Sequence, residues 1–342
     1  MDSKKQFKRV VIRQNGAPDV LETVTETLNR NKKTGLLVEI WAFGVGWADI
    51  MAQRGGYALA PKKPFTPGYD FVGKVIDNYG SNQFEIGDSV AAMLPEMGTY
   101  SEILEVDEKY VVKVPDNTPI DKAAASILNY LTAYCILEQK AKVNDNDTVY
   151  IQGASGGVGL ALAQVGKLKG LKMYGTSSPS KFSLLTSNGV IPIDYKNEDL
   201  VEIILRQYPN GIDAAFDARG GKSLKSCIQV IKKGGTVVSY GFSGDNYGGN
   251  KEMFKGLAIV LKNLISINGK QIKFCATPSE VKKQTEWYKK TLTQIFNQIN
   301  SGEINPLVNE IIPFNDIAKA HLMMEKGKLD GKIIVKTKYY KV

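Results

Sequence analysis

A glycine-rich segment in the middle of the chain has the residue types and the spacing needed to bind a dinucleotide. The sequence Gly-Ala-Ser-Gly-Gly-Val-Gly at 153–159 follows an apolar strand pattern and precedes an apolar helix pattern. In this motif Ala154 takes the tight-turn position, and Gly156 and Gly157 let the backbone approach a pyrophosphate. Gly159 allows the helix to pack closely, and the N-terminus of that helix supplies N–H donors. The segment therefore predicts a nucleotide site.

The end of the next predicted strand indicates which dinucleotide is bound. NAD-binding proteins place an Asp or Glu there, whereas this chain has Gly-Thr-Ser-Ser-Pro-Ser-Lys at 175–181. A carboxylate would repel a 2′-phosphate, whereas hydroxyl groups and a lysine bind and neutralise it. We therefore expect NADPH as the cofactor, with Ser177 and Lys181 contacting the 2′-phosphate. The alternative is that Ser180 and Lys181 only begin a surface helix.

The elements around this motif alternate between strand and helix. Strands are expected at 148–152, 172–176, 190–193, 212–216 and 236–240, and helices at 158–168, 181–188, 200–207 and 224–231. Such alternation is typical of βαβ units and predicts a doubly wound parallel sheet. We therefore expect an α/β protein whose central part binds the nucleotide.

The regions before and after the alternating segment have a different pattern of apolar and turn residues. Residues 8–113 show short apolar segments separated by turn residues, which predicts an irregular all-β region. A capped, largely apolar helix is expected at 121–140. After the alternating region we expect a long helix at 280–301, a strand at 310–312, a helix at 316–326 and a strand at 332–337. These last segments could pack on the first region.

Composition excludes several classes of protein. With 342 residues, 43% hydrophobic and 23% charged, the chain is expected to form two globular domains rather than a disordered or fibrous chain. The formal charge of +9 comes from scattered basic pairs, so a nucleic-acid partner is not favoured. No apolar run reaches the roughly 18 residues of a transmembrane helix. Cys135, Cys227 and Cys275 are far apart and predict neither a disulfide framework nor a metal site, so a cytoplasmic location is the default expectation.

Further motifs carry a family resemblance. They are Phe-Thr-Pro-Gly-Tyr-Asp at 65–70, Phe-Glu-Ile-Gly-Asp-Ser-Val at 84–90, Asn-Tyr-Leu-Thr-Ala-Tyr at 129–134 and Gly-Lys at 331–332. With the glycine loop, they resemble the medium-chain dehydrogenase/reductase superfamily, in its zinc-free quinone oxidoreductase branch that includes zeta-crystallin. Trp-Ala-Asp-Ile-Met at 47–51 and Pro-Ile-Asp-Tyr at 192–195 are similar to the vesicle amine transport protein homologues.

The resemblance covers nearly the whole chain and implies a domain organisation. It implies a GroES-like irregular β domain at 1–125 with 305–342, which would hold the substrate, and a Rossmann domain at 126–304, which would bind NADPH. It also implies a homodimer formed through the segment 265–274.

The resemblance also implies the cofactor contacts. Asn129 and Thr132 are expected near the nicotinamide, and Tyr195 is expected beside the 2′-phosphate, although Tyr195 could equally be an ordinary core or surface residue. The full set of expected cofactor-binding residues is Asn129, Thr132, Ala154, Gly156, Gly157, Val158, Ser177, Lys181, Tyr195, Tyr240, Gly241, Phe242 and Lys332.

The scarcity of metal ligands argues against a catalytic zinc. Zinc needs several nitrogen or sulfur donors brought together, and the chain has a single histidine, His321. In the resemblance, Gly68-Tyr69-Asp70 replaces the Gly-His-Glu of the zinc-dependent branch. We therefore expect no metal, and we expect His321 to be a packed or surface residue of a late helix.

The absence of a Lewis acid would favour a particular substrate class. An unactivated alcohol is difficult to oxidise without a metal, whereas a quinone or enone delocalises the charge of an incoming hydride onto its own oxygen. An aromatic set suits a flat acceptor, and the candidate substrate contacts are Trp47, Tyr69 and Tyr130. Each could instead be ordinary core.

The candidate catalytic residues are Tyr57 and Asp49. By resemblance, the Tyr57 hydroxyl is placed to stabilise a developing oxyanion. Asp49 could equally be a solvated or capping carboxylate. Gly46 stands where many quinone reductases have Asn, which removes one polar contact.

We therefore expect an NADPH-dependent, zinc-independent reductase of quinones. One alternative is reduction of the carbon–carbon double bond of 2-enals or enones by the same architecture. Another is an NADPH-binding interaction protein without turnover, which would bind polyanions in a salt-sensitive manner.

Overall fold

The structure, a computed structural model, describes residues 5–28, 35–241, 269–327 and 329–340. The chain forms two units, one of residues 1–131 with 277–342 and the other of residues 132–276. The sequence-based boundaries differ from these chiefly at 277–304, which the sequence analysis assigned to the Rossmann domain and which the contacts join to the first unit.

The elements are numbered along the chain. The strands are β1 (Gln6–Ile12), β2 (Leu21–Thr27), β3 (Leu36–Val45), β4 (Asp70–Asp77), β5 (Ser89–Met93), β6 (Ile103–Val106), β7 (Val111–Lys113), β8 (Thr148–Ile151), β9 (Lys172–Ser177), β10 (Val190–Asp194), β11 (Ile212–Asp217), β12 (Ile231–Ser239), β13 (Gln271–Phe274), β14 (Val308–Pro313) and β15 (Lys332–Lys336). The α-helices are α1 (Trp47–Arg54), α2 (Ile120–Tyr134), α3 (Gly157–Leu168), α4 (Phe182–Ser187), α5 (Leu200–Gln207), α6 (Gly221–Val230), α7 (Thr277–Lys283), α8 (Thr285–Asn300) and α9 (Ile317–Lys326). None of these described helices is both long enough and apolar enough to cross a membrane.

The first unit is built on a mostly antiparallel sheet. Its strand order is β14-β15-β3-β4-β5-β7, with β6 added to β3, and β1 and β2 form a separate ribbon. The C-terminal strand β15 pairs antiparallel with β3, so the end of the chain does pack on the first region. Inward-facing apolar residues such as Val38, Phe43 and Phe71 form its core, because alternate residues of a strand face the same side.

Two helical features of the first unit differ from expectation. The helix α1 was not predicted, although Asp49 at its third position and Gly55 at its end, with φ of 83°, are a start and a stop signal. The single helix expected at 280–301 is two helices, because Gln284 has the non-helical angles φ −132° and ψ 61°. Tyr288 of α8 accepts a hydrogen bond from Met93 N (2.8 Å) and donates one to Tyr110 O (2.6 Å), which joins α8 to the first unit.

The second unit is the expected doubly wound parallel sheet. Its strand order is β10-β9-β8-β11-β12-β13, and every neighbouring pair is parallel. The order reverses between β8 and β11, which is where sheets of this kind bind ligands. Beyond α2 the chain continues as a π-helical segment, Cys135–Ala141. β13 is the last strand on its side of the sheet among the described residues, and residues 265–268 of the expected dimer segment lie outside them.

Candidate functional site

The glycine-rich segment forms the turn between β8 and α3, at the carboxyl edge of the parallel sheet. Gly153 has φ of 65°, a left-handed conformation that favours glycine. Its N–H donates to Thr176 Oγ1 (3.2 Å), and Ala154 N donates to the Thr176 carbonyl (3.0 Å). The Thr176 hydroxyl also contacts the Tyr150 hydroxyl at 3.0 Å. The end of β9 therefore holds the turn in place through protein contacts.

The N-terminus of α3 fits a phosphate group. Its N-cap, Gly156, has no side chain to accept hydrogen bonds from the first turn, whose N–H groups lack intrahelical partners. A Cβ at Gly156 would meet one described atom within 4 Å, the Gly153 carbonyl oxygen at 3.4 Å. In contrast, a Cβ at Gly159 would lie 2.5 Å from that oxygen. Gly159 is therefore required by the packing of the loop, and Gly156 leaves open space in front of the helix.

The residues expected at the 2′-phosphate lie at the end of β9 or shortly after β9 and β10. Ser177 is buried and donates to Ser178 O (3.2 Å), Lys181 lies in the short helical turn Pro179–Lys181, and Tyr195 is 54% exposed. Hydroxyl and ammonium groups on neighbouring strand ends suit a phosphate.

A carboxylate at this level was missed by the sequence analysis. Asp194 stands opposite Ser177 in the parallel register of β10 and β9. Its two oxygens accept hydrogen bonds from Lys196 N (3.0 Å) and Asn197 Nδ2 (2.7 Å). The dinucleotide motif predicts a carboxylate only at the end of the strand that follows the glycine loop, which is β9. Asp194 lies at the end of the neighbouring strand, β10. Its presence makes the choice between NADPH and NADH a point for experiment.

The remaining expected cofactor contacts lie on two segments. Asn129 and Thr132 are both buried on α2. Tyr240 and Gly241 directly follow β12, where Tyr240 N donates to Asp217 O (2.9 Å). Tyr240 and Gly241 thus lie at the same carboxyl edge of the parallel sheet as the glycine loop. Phe242 lies outside the described residues.

In the first unit, Asp49 is a buried carboxylate with several donors. Its Oδ2 accepts from Gly46 N (2.8 Å) and from the Tyr100 hydroxyl (3.1 Å), and its Oδ1 accepts from Gly68 N (3.0 Å). Burial raises the pKa of this carboxyl to about 6. Asp49 therefore caps α1 and ties it to the turn before β4, which is a positioning role; a role in the chemistry stays a prediction.

Tyr57 and Tyr69 form a hydrogen-bonded pair. The Tyr69 hydroxyl donates to the Tyr57 hydroxyl at 3.0 Å, and the rings meet edge to face. Tyr69 is buried and Tyr57 is half-buried. Burial raises the pKa of Tyr57 to about 12, so at neutral pH its own hydrogen remains available for donation. Of the other expected substrate contacts, Trp47 begins α1 and Tyr130 is buried in α2.

Lys332 is a buried cation in the same unit. Its Nζ lies 3.9 Å from Asp70 Oδ2, and Asp70 Oδ1 accepts from Gly44 N (2.8 Å). Within the part of the chain that the structure describes, this Nζ has no hydrogen-bond acceptor. An unsatisfied buried donor is costly, so Lys332 Nζ has hydrogens to donate, and its expected role in binding the cofactor stays a prediction.

A polar network around His321 was also missed. Its Nδ1 lies 2.6 Å from Gln53 Oε1, and its Nε2 lies 3.2 Å from the Tyr100 hydroxyl. Because Gln53 Nε2 donates to Gly16 O, Oε1 is the acceptor and Nδ1 carries the hydrogen. Burial lowers the pKa of His321 to about 3, so the ring is neutral. The expected packed role is confirmed. Because Nδ1 carries the hydrogen, Nε2 can only accept, so His321 Nε2 and Asp49 Oδ2 are both acceptors for the single Tyr100 hydroxyl hydrogen. These contacts connect α1, α9 and the segment before β6.

We expect His321 to make the free energy of unfolding depend on pH. In the unfolded chain a histidine has a pKa of about 6.5, so below that pH the unfolded state binds a proton that the folded state does not. The His321 contribution to stability should fall by about 2 kcal/mol between about pH 7.5 and about pH 5. Asp49, with its raised pKa, shifts stability in the opposite direction over part of this range.

Urea unfolding of the wild type and of His321→Asn at both pH values isolates the histidine contribution. The stability difference between the two proteins should shrink by that amount at the lower pH. Because His321 is the only histidine, its imidazole resonances can be followed unambiguously by NMR and should not titrate over this range. A pH-independent difference, or a resonance titrating near pH 6.5, would contradict the prediction.

Two family models and several known proteins are similar to this chain in sequence. A family model of the alcohol dehydrogenase GroES-like domain matches residues 32–116, and a zinc-binding dehydrogenase model matches residues 189–335. The human synaptic vesicle membrane protein VAT-1 homolog is 30% identical over 309 residues, which are 88% of this chain and 78% of that protein. A probable quinone oxidoreductase of Schizosaccharomyces pombe is 28% identical over 333 residues, 95% of this chain and 96% of that protein.

Solved structures show the same fold. The Escherichia coli quinone oxidoreductase complexed with NADPH superposes with a TM-score of 0.85 at 25% identity, covering 96% of this chain and 99% of that one. The CurK enoyl reductase superposes with a TM-score of 0.82 at 22% identity, covering 97% of this chain and 100% of that one. The mixed α/β architecture expected from the sequence is therefore confirmed.

Proposed function

We propose that this chain, which belongs to the quinone oxidoreductase-like branch of the medium-chain dehydrogenase/reductase superfamily, is an NADPH-dependent reductase of quinones or related conjugated carbonyls. The observation that carries the proposal is the open N-terminus of α3 behind a preformed glycine turn. It lies beside the point where the strand order of a parallel sheet reverses. The names of the quinone oxidoreductase relatives support the substrate class.

NADPH, when bound, supplies a hydride from C4 of its nicotinamide. The N–H groups of the first turn of α3 would bind the pyrophosphate. Ser177, Lys181 and Tyr195 would contact the 2′-phosphate, and Lys332 would donate to an oxygen of the cofactor. The NADPH in the similar Escherichia coli structure supports this cofactor.

The Tyr57 hydroxyl would donate to the acceptor oxygen on which negative charge develops. Because Tyr69 donates to Tyr57, the two hydroxyls form a short chain that strengthens this donation. Asp49 would act indirectly, because its hydrogen bonds hold the start of α1 in place. A flat conjugated acceptor needs little more than such positioning and a hydrogen bond.

Zinc independence is part of the proposal. By resemblance Tyr69 replaces the histidine of the zinc-dependent branch, and the Tyr69 hydroxyl donates to Tyr57. The one imidazole is enclosed between Gln53 and Tyr100, so it is not directed at a metal. Metal analysis of the purified protein should find far less than one zinc per chain, and chelation should leave turnover unchanged.

An acceptor screen tests the reaction. The purified full-length protein should oxidise NADPH in the presence of phenanthrenequinone or a naphthoquinone, measured by loss of NADPH absorbance. Turnover with 2-enals and none with quinones would make the protein a double-bond reductase. Salt-sensitive polyanion binding with no turnover on any acceptor would make it an interaction protein.

Thermal shift tests the choice of cofactor. NADPH should raise the melting temperature far more than NADH, because stabilisation follows affinity. Lys181→Ala should weaken NADPH binding about tenfold to a hundredfold, the loss of one charge-assisted contact, with little effect on NADH.

Lys225→Ala, which removes an exposed lysine of α6, is the matched control and should behave as the wild type. Equal stabilisation by NADPH and NADH would contradict the proposal. It would favour Asp194, which lies opposite Ser177 in the sheet, as a carboxylate that binds the ribose hydroxyls.

A further inference from the structure

Two of the three cysteines lie side by side in the second unit. Cys275 Sγ is 3.1 Å from Cys135 Sγ, although the residues are 140 positions apart in the sequence. Both side chains are buried, and no disulfide joins any of the three cysteines, all of which the structure describes. A disulfide bond is about 2.04 Å long, so the two sulfur atoms need to approach by only about 1 Å to bond.

The backbone on both sides of this pair is held by hydrogen bonds. Cys135 begins the π-helical segment Cys135–Ala141, and Cys275 directly follows β13. Lys273 Nζ donates to Lys140 O (2.8 Å), and Cys275 N donates to Ser239 O (2.9 Å). The thiols therefore meet because the π-helical segment docks on the ends of β12 and β13, and π-helical turns are frequent at functional sites.

We propose that Cys135 and Cys275 are a modification site that forms an intramolecular disulfide on oxidation by a peroxide. Cys275 is the first to react, since it is 3% exposed whereas Cys135 is fully buried. Burial slows the reaction, and the adjacent second thiol favours the disulfide over further oxidation of the first.

The chemistry balances with one peroxide for each disulfide. The Cys275 thiolate attacks one oxygen of hydrogen peroxide, the O–O bond breaks, and with one proton a water and a sulfenic acid result. Cys135 Sγ then attacks the sulfenic sulfur, the S–S bond forms, and the hydroxyl leaves as a second water. Two thiols lose two electrons and two hydrogens, and one hydrogen peroxide becomes two waters.

The bond would also affect cofactor binding, an extension that rests on the proposed function. Thr132 lies three residues before Cys135, and Ser239, which Cys275 contacts, directly precedes Tyr240. A disulfide would therefore tie together two segments that carry expected cofactor contacts. We expect the melting-temperature shift produced by NADPH to change when the disulfide forms and to return after reduction by a thiol.

Peptide mapping tests the bond itself. The full-length protein is treated with hydrogen peroxide, alkylated under denaturing conditions, digested and analysed by mass spectrometry without reduction. The expected product is a cross-linked peptide pair containing Cys135 and Cys275, lighter by two hydrogens, while Cys227 is alkylated as an internal control. Cys275→Ala and Cys135→Ser should each abolish the product, and Cys227→Ala should not.

The outcomes separate the two proposals. Alkylation of both thiols after peroxide treatment, a disulfide that involves Cys227, or a sulfinic acid at Cys275 without a cross-link would overturn the disulfide. A cross-link that leaves the NADPH shift unchanged would overturn only the coupling. Failure of the reduced protein to bind NADPH would count against the proposed function and would leave the peptide map interpretable.

Discussion

Gly156→Val should lower NADPH affinity by at least about a hundredfold while the protein still folds. The side chain would fill the open space in front of α3 and block approach of the pyrophosphate to the first-turn N–H groups. Loss of two charge-assisted hydrogen bonds costs about 3 kcal/mol or more, which corresponds to this factor. The extended backbone of Gly156, with φ −75° and ψ 170°, accepts a β-branched residue. Calorimetric titration with NADPH measures the loss.

The stability of the ligand-free protein provides the control. Gly156→Val should reduce it by no more than about 1 kcal/mol, the cost of a poorer N-cap. Gly159→Ala should reduce it more, because its Cβ would lie 2.5 Å from the Gly153 carbonyl oxygen. Wild-type NADPH affinity in a folded Gly156→Val variant would show that this helix end does not hold the cofactor.

Tyr57→Phe should lower kcat for quinone reduction by about a hundredfold to a thousandfold, the effect of removing one donor to a developing oxyanion. NADPH affinity and the overall fold should be unchanged, because the ring remains and only a half-buried hydroxyl is lost. Steady-state kinetics with phenanthrenequinone measure the effect, which should fall on kcat more than on KM.

Tyr69→Phe is the matched comparison. It leaves Tyr57 in place and removes only the hydrogen bond donated to it, so its effect on kcat should be smaller, about tenfold. If Tyr69→Phe were the more damaging variant, or if Tyr57→Phe retained wild-type kcat, the donor to the substrate would be a different group.

The buried polar residues of the first unit explain why α1 has its position. The backbone N–H groups of Gly46 and Gly68 both donate to Asp49, and the Tyr100 hydroxyl completes the set. A neutral imidazole with a fixed tautomer continues the network to Gln53. These contacts give Tyr57, which follows α1 by three residues, a rigid support.

The parts of this protein that the sequence predicted are those encoded by local pattern. Alternating strand and helix periodicities predicted the parallel sheet, and the glycine spacing predicted a strand-to-helix turn at 153–159, because both are set by neighbouring residues. The eight-residue α1 and the break at Gln284 were missed, since short helices and a single non-helical residue leave a weak periodic signal.

Contacts between distant residues were decided by the tertiary structure alone. The parallel register brought Asp194 beside Ser177, docking of the π-helical segment brought Cys135 against Cys275, and packing of α9 enclosed His321 between Gln53 and Tyr100. The sequence determined which residues share a strand or a helix face, and therefore which elements the fold contains. Which faces meet depends on the docking of segments far apart in the chain, because burial of apolar surface is non-directional and periodicity does not specify the partner.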